Sequence, residues 1–89
     1  MSLSSGDNPK AGQTAVTSTP AALAANQPCS SVLVQNDPGS ANNILIGDSA
    51  HQYVQLKAGQ SVSIPCANLS QLYVATASGT ATANWIAVS

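Results

Sequence analysis

Few side chains in this sequence could perform nucleophilic or acid–base chemistry, and they are spread along the chain. Cys66, His51 and Asp48 could together supply a nucleophile, a base and an orienting acid, because such triads are defined by geometry and not by sequence order. No local motif of a known cysteine enzyme surrounds them. We therefore interpret His51, which follows a Gly-Asp-Ser turn, as an exposed or hydrogen-bonded histidine at the start of a strand.

Paired carboxylates of the kind used in glycoside hydrolysis would have to come from Asp37 and Asp48. Each lies in a turn sequence, Asn-Asp-Pro-Gly or Gly-Asp-Ser, where an aspartate typically accepts hydrogen bonds from the local backbone. A metal site is disfavoured because the chain has one histidine, no glutamate and no closely spaced cysteine pair. We expect no catalytic, cofactor-binding or metal-binding residues.

The two cysteines, Cys29 and Cys66, are compatible with either redox state. In a reducing cytoplasm a small buried thiol is the ordinary outcome, so we predict free, buried thiols. A disulfide and a metal-binding pair are the alternatives. A disulfide between residues this far apart in sequence would stabilise the fold by roughly 3–4 kcal/mol in the chain-entropy model.

Charge is nearly absent from the chain. Charged residues make up 6% of it, against roughly 25% in ordinary soluble domains, while Ser, Thr, Asn and Gln account for 33 of the 89 residues. Two lysines cannot neutralise a row of phosphates, so we expect neither a nucleic-acid partner nor an anionic membrane surface. A surface with so little like-charge repulsion favours packing against copies of itself or against another protein.

The chain divides into a short polar segment and one domain. Residues 1–11, in which Leu3 is the only large apolar side chain besides Met1, predict a flexible N-terminal arm. Residues 12–89 predict a single β domain. The beginning of the chain lacks the charged and apolar regions of a signal peptide, and no apolar run approaches ~20 residues, so we expect synthesis in the cytoplasm.

The domain consists of short β-prone segments separated by turn residues. Strands are predicted at 13–19, 29–36, 43–47, 51–56, 61–65, 72–77 and 80–88, with an extended or one-turn segment at 21–25 and a helical turn at 66–70. Leu69 should close one end of the core. This spacing predicts an all-β fold, a small antiparallel β-sandwich or jelly-roll-like barrel of about seven short strands.

Turn residues also suggest which strands pair. The turn at 36–39 predicts that the segments 29–36 and 43–47 form a hairpin or meander, and Ser78-Gly79 predicts a hairpin of the last two strands. The runs Val32-Leu33-Val34 and Ile44-Leu45-Ile46 are both continuously apolar. Such runs indicate that both faces of their strands are covered, one by a facing sheet and the other by a neighbouring subunit.

The chain has three aromatic residues, Tyr53, Tyr73 and Trp85. Trp85 alternates with small residues along the last strand, which predicts that its indole packs in the core. If the three rings were coplanar and exposed, they could form a platform on which a sugar stacks. A carbohydrate-binding β-sandwich module is therefore one alternative function.

Five segments carry a resemblance to a known group of proteins: Val-Leu-Val-Gln-Asn-Asp at 32–37, Asn-Ile-Leu-Ile-Gly at 43–47, Leu-Lys-Ala-Gly-Gln-Ser-Val at 56–62, Asn-Leu-Ser-Gln-Leu-Tyr-Val at 68–74 and Ser-Gly-Thr-Ala-Thr-Ala-Asn-Trp at 78–85. In this order of strands and turns, about two-thirds of the chain resembles small virion proteins of tailed bacteriophages. The resemblance contains no catalytic signature.

The resemblance implies a structural protein of the virion, most like a capsid decoration (cement) protein. Such proteins are often trimeric, bind the outer capsid surface where major capsid subunits meet, and stabilise the shell. A tail or head-fibre module is the alternative within the virion. The contacts with the major capsid protein are expected from the arm and the segment after it, at Leu3, Asn8, Pro9, Gln13 and Val16.

Overall fold

A computed structural model describes residues 9–88 of the chain. Their elements are β1 (Lys10–Val16), β2 (Ala21–Ala22), β3 (Ser31–Asn36), β4 (Ile44–Gly47), β5 (Gln52–Leu56), β6 (Ser61–Pro65), a turn of 3-10 helix (Leu69–Gln71), β7 (Tyr73–Ala75) and β8 (Ala81–Val88). Across these residues no helix is long and apolar enough to cross a membrane.

The strands form two antiparallel four-stranded sheets. Sheet 1 has the order β1-β8-β3-β6, and sheet 2 has the order β2-β7-β4-β5. The pairs β1–β8, β2–β7, β3–β6 and β4–β5 are those of one long antiparallel hairpin that spans the described chain. The pairs β3–β8 and β4–β7 form where this hairpin rolls up on itself. This is the topology of a jelly roll, so the prediction of a small all-β sandwich or jelly-roll-like fold is confirmed.

Two of the predicted strand pairings are wrong. The turn after β3 leads the chain from sheet 1 to sheet 2, and the turn before β8 leads it from sheet 2 back to sheet 1, so neither turn closes a hairpin. Within the described residues, β4 and β5 are the only consecutive strands that are neighbours in one sheet. Turn residues mark where the chain reverses, but the same residues serve a hairpin and a crossing between facing sheets.

The first strand also begins earlier than expected. It starts at Lys10, so Lys10 and Ala11 belong to the strand and not to the predicted arm. Residues 1–8 lie outside the part of the chain that the structure describes. As predicted for this segment, β1 is an edge strand, and among the described strands it pairs with β8 alone.

The core lies between the sheets and consists of aliphatic side chains. Its buried members are Val16, Leu23, Val32, Val34, Ile44, Ile46, Leu56, Leu69, Leu72, Val74, Ala81, Ala83 and Ala87. Leu69 closes one end of this core from the 3-10 turn, as predicted. Asn68 caps that turn, because its side-chain oxygen accepts a hydrogen bond from the backbone N–H of Ser70.

Trp85 packs against the edge of the core, as its spacing predicts. Its indole N–H donates to the Thr14 hydroxyl over 3.1 Å, and that hydroxyl donates to the carbonyl of Leu23 over 2.6 Å. Gly12 is the residue opposite Trp85 on β1. A Cβ atom at Gly12 would collide with the indole ring, so this strand approaches β8 closely only because residue 12 is glycine.

The polar side chain of Asn36 lies fully inside the fold. The side-chain amide of Asn36 donates to the carbonyls of Asn42 and Leu56, each over 3.0 Å. The backbone of Asn36 also donates to Gln60 over 2.9 Å and accepts from Gly59 over 2.7 Å. Asn36 therefore ties together the two places, after β3 and after β5, where the chain crosses between the sheets.

Candidate docking surface

The residues with the most evident chemistry form ordinary turns. One carboxylate oxygen of Asp48 accepts the backbone N–H groups of Ala50 and His51, over 2.9 and 2.7 Å. These donors hold the pKa of Asp48 below its usual value. The His51 ring nitrogen lies 3.8 Å from the same oxygen, and both side chains are exposed. The predictions of a turn aspartate and an exposed histidine are confirmed.

Asp37 has the same role at the other turn. It accepts the backbone N–H of Gly39 over 2.9 Å and the side-chain amide of Asn84 over 2.9 Å. The hydrogen bond from Asn84, and after it the one from Gly39, lower the pKa of Asp37. The interpretation of Asp37 as a turn residue is confirmed.

Cys29 and Cys66 are free thiols that contact each other, with 3.4 Å between the two sulfur atoms. Both are half-buried, where the sequence predicted full burial. Burial, together with the hydrogen bond to Cys29, raises the pKa of the Cys66 thiol to about 11. A nucleophilic cysteine needs the opposite shift, because the thiolate is the reactive form. No three His, Cys, Asp or Glu side chains within residues 9–88 are grouped to hold a metal ion.

The three aromatic side chains do not form one platform. Trp85 lies on β8 of sheet 1 and packs towards the core, whereas Tyr53 and Tyr73 belong to sheet 2. Tyr53 is 81% exposed, and its ring centroid lies 5.1 Å from that of His51 at a tilt of 40°. The arrangement that motivated the carbohydrate-binding alternative is therefore absent from the described part of the chain.

A different surface stands out, which we call the sheet 1 outer face. It comprises the side chains of sheet 1 that alternate with the core residues and point away from sheet 2. They are Ala11, Gln13 and Ala15 of β1, Thr82, Asn84, Ile86 and Val88 of β8, Ser31, Leu33 and Gln35 of β3, and Ser61, Ser63 and Pro65 of β6. None of these residues carries a charge.

An apolar row crosses this face. Ile86 lies opposite Ala11 on one side and Leu33 on the other. Ile86 is 40% and Leu33 is 42% exposed, although they occupy the two central strands of the sheet. The apolar run at 32–34 predicted cover on both sides of its strand. Sheet 2 supplies the inner cover, and the outer side of Leu33 is uncovered in the single chain.

A row of amides runs beside the apolar row. Gln13 donates to the side-chain oxygen of Asn84 over 2.8 Å, and Asn84 donates to the side-chain oxygen of Gln35 over 3.3 Å. Asn84 is fixed further by its hydrogen bond to Asp37 at the end of β3. The three amides therefore hold each other in place before any partner binds, which lowers the entropy cost of binding.

The two rows border a shallow depression of about 400 Å³ on the sheet 1 outer face. Its lining includes Leu33 and Ile86 from the apolar row and Gln13 and Asn84 from the amide row. The depression joins uncharged hydrogen-bonding groups to apolar side chains over neighbouring strands. Such a surface can bind a complementary uncharged surface of another protein without desolvating an ion.

The expected contact residues differ in their exposure and in whether the structure describes them. Gln13 is exposed in the amide row, and Pro9 is exposed just before β1. Leu3 and Asn8 lie outside the described residues. Val16 requires a correction, because it points inward at the end of β1, is 1% exposed and packs in the core. It cannot contact a partner in this fold.

Sequence reasoning did not identify Leu33, Ile86 and Asn84 as surface contacts. The signal was present, because β8 alternates small core residues with Thr82, Asn84, Ile86 and Val88 on the other side. What could not be predicted from the sequence was that β8 and β3 are neighbours, which places Ile86 beside Leu33.

No family model, curated protein or solved structure matches this chain.

Proposed function

We propose that this protein is a structural component of a tailed-bacteriophage virion, a capsid decoration protein that binds the outer capsid surface through its sheet 1 outer face. There it bridges major capsid subunits and stabilises the shell. The observation that carries the proposal is the absence of charge from this face, combined with the exposed aliphatic pair Leu33 and Ile86.

The energetics of such a contact follow from the composition of the face. Burying apolar surface contributes roughly 25 cal/mol per Å², and Leu33, Ile86 and Val88 are the large exposed aliphatic side chains of this face that are available for it. Amides and hydroxyls can be paired across an interface, whereas buried ions carry a desolvation penalty that often cancels their attraction. The apolar row would therefore supply affinity, and the amide row would supply orientation.

Two further observations support the proposal. The jelly-roll topology is one that viral capsid domains use, although lectins use it as well and a fold alone does not determine function. The net charge of −1 gives the chain little electrostatic resistance to packing many copies on one shell. A homotrimer on the shell is part of the proposal and is tested by the solution mass from light scattering, where a monomer would contradict it.

The direct test is co-sedimentation with shells of the major capsid protein from the phage that carries this gene. Leu33→Lys places a charge in the centre of the face, and we expect it to weaken binding at least about tenfold, which corresponds to roughly 1.4 kcal/mol. Val54→Lys is the matched control, because Val54 is 53% exposed and lies on β5 of sheet 2. The control should bind as the unmodified protein does.

Equal binding by the Leu33→Lys protein and the unmodified protein would exclude the sheet 1 outer face as the contact. Electron microscopy of labelled protein on whole virions separates the capsid from the tail. Label on the capsid supports the decoration function, and label confined to the tail or to head fibres would replace it with the alternative.

A further inference from the structure

We propose that Cys29 and Cys66 are a redox-sensitive clasp, which forms an intrachain disulfide on exposure to a small-molecule disulfide and thereby locks one end of the sandwich. The inference is independent of the proposed function. It starts from the placement of the two thiols, whose sulfur atoms lie 3.4 Å apart in the reduced protein.

The backbone on both sides of the pair is already held in register. Cys29 lies two positions before the paired region of β3 and β6, and Cys66 immediately follows it. The N–H of Cys29 donates to the carbonyl of Ala67 over 2.9 Å, and the N–H of Cys66 donates to the carbonyl of Ser30 over 3.3 Å. The thiol of Cys29 also lies 3.1 Å from the carbonyl oxygen of Cys66.

Closing the bond requires the sulfurs to approach from contact to roughly 2.0 Å. Since the backbone hydrogen bonds just beyond the two strands hold the thiols in contact, small changes in side-chain rotation can supply this movement. Both residues are half-buried, so a small disulfide can reach them from the surface. A pair of thiols in mutual contact differs in this respect from two isolated buried cysteines, which would be inert.

The chemistry balances with glutathione disulfide as the oxidant. The thiolate of one cysteine attacks a sulfur of glutathione disulfide, the glutathione S–S bond breaks, and one glutathione thiolate leaves. The thiolate of the other cysteine then attacks the protein sulfur of this mixed disulfide and expels the second glutathione. Two protein thiols are oxidised to one disulfide, one glutathione disulfide is reduced to two glutathione thiols, and these take up the two protons.

The clasp would join elements that lie far apart in the sequence. The two cysteines are separated by 37 positions, and β3, β4, β5 and β6 all lie between them. At the same end of the molecule, Asn68 accepts a hydrogen bond from the backbone of Gln27 over 3.0 Å, and the N–H of Leu69 donates to the carbonyl of Gln27 over 2.9 Å. A covalent bond would keep the Leu69 turn seated on the core when these hydrogen bonds open.

The consequence depends on the compartment. Glutathione and thioredoxin keep such a pair reduced in the cytoplasm, whereas an oxidising exterior favours the disulfide. The protein would then have a more flexible reduced form and a more rigid oxidised form, with no change in fold. Because both exchange steps need a thiolate, and the pKa of Cys66 is raised to about 11, oxidation should be faster at pH 8.5 than at pH 6.5.

The test uses the unmodified chain, reduced and then incubated with glutathione disulfide at pH 8.5. Free thiols are alkylated, and intact mass and peptide mapping follow. We expect both thiols to disappear, with a mass loss of two hydrogen atoms and a Cys29–Cys66 cross-linked peptide in the monomer. The thermal midpoint should rise by about 12 °C or more relative to the reduced protein.

The single variants Cys29→Ser and Cys66→Ser are the matched controls. Each keeps one thiol and should retain a stable mixed disulfide with glutathione, without the rise in thermal midpoint. Three results in the unmodified chain would overturn the proposal: two thiols that remain reactive, a persistent glutathione adduct, or cross-linked dimers. An intrachain disulfide that leaves the thermal midpoint unchanged would also overturn it, because the bond would then lock nothing.

Discussion

The two sheets differ in size and in where charged residues lie beside them. Sheet 1 is built from strands of seven, eight, six and five residues, and sheet 2 from strands of two, three, four and five. The β4–β5 hairpin of sheet 2 has Asp48 and His51 in its loop and Lys57 directly after β5. Among the described strands, Lys10 at the start of β1 is the one charged residue; it alternates with the side chains of the sheet 1 outer face, which are all uncharged.

Within this very small fold, the two sheets therefore suit different surroundings. The hairpin of sheet 2 has exposed polar groups at its ends, and Tyr53 and Val54 are exposed between them on β5. The broad face of sheet 1 has its polar groups tied into a row and its aliphatic groups left uncovered. In a chain with so few charged residues, their position at strand ends and turns leaves the sheet 1 outer face as a large uncharged surface, which we propose as the surface for a protein partner.

The largest expected effect concerns Asn36, which holds both sheets in place. Asn36→Ala leaves the carbonyls of Asn42 and Leu56 without their buried donor, so we expect the free energy of unfolding to fall by about 3 kcal/mol. Urea denaturation followed by Trp85 fluorescence measures it. Asn43→Ala, at an exposed position of the same connection, should change stability by less than about 0.5 kcal/mol. Similar losses in the two variants would show that Asn36 is not a central tie.

The case of Asn36 shows where the sequence was informative and where it was not. The strands around it, the turn at Asp37 and the closing role of Leu69 follow from local chemistry, and all three were predictable. That Asn36 is buried follows from the crossing of the chain between sheets. Local turn residues do not distinguish such a crossing from a hairpin.

The same physical limit explains the error at Val16. Val16 was expected among the partner contacts because it lies in the segment after the arm, but its exposure depends on how far the facing sheet extends over the strand. Val16 lies where the two sheets cover each other, whereas Val54 lies on the edge strand β5, beside the register shift at Ile46 and Gly47. Of the candidate site, the sequence predicted only the outer side of the run at 32–34, as a contact with another subunit. The other members of the site could not be predicted, because they come from strands distant in sequence.

A second, smaller loss of stability is expected from a change in the packing of sheet 1 alone. Gly12→Val forces a side chain into the Trp85 indole, and we expect a loss of about 2 kcal/mol from overpacking. Ala11→Val is the matched control, because it adds similar bulk on the exposed side of the same strand. Thermal unfolding of both variants gives the comparison. A Gly12→Val protein as stable as the Ala11→Val protein would mean that β1 is not packed as described.

The smallest expected effect tests how the amide row contributes to binding. Asn84→Ala removes the central amide and should weaken shell binding about fivefold, or roughly 1 kcal/mol. It also removes the largest cause of the lowered pKa of Asp37, so that pKa should rise towards 3.8, while the pKa of Asp48 stays unchanged. Co-sedimentation and an NMR titration of the carboxylates measure the two effects.

The sign of the pH dependence follows from the same hydrogen bond. A carboxylate with a lowered pKa in the folded state stabilises the fold above the ordinary value of 3.8, and this contribution is lost as the pH falls through the folded pKa. The Asn84→Ala protein should therefore lose less stability on acidification below pH 4 than the unmodified protein does. An identical acid profile and unchanged binding would show that the amide row does not act as a unit.

The central claim is that the sheet 1 outer face is the surface that binds the shell. An electron cryo-microscopy reconstruction of capsid shells saturated with the protein tests it most directly. The account predicts that Leu33 and Ile86 lie against the major capsid protein and that the β4–β5 hairpin points to solvent. A reconstruction with the β4–β5 hairpin against the shell and the sheet 1 outer face exposed would contradict it.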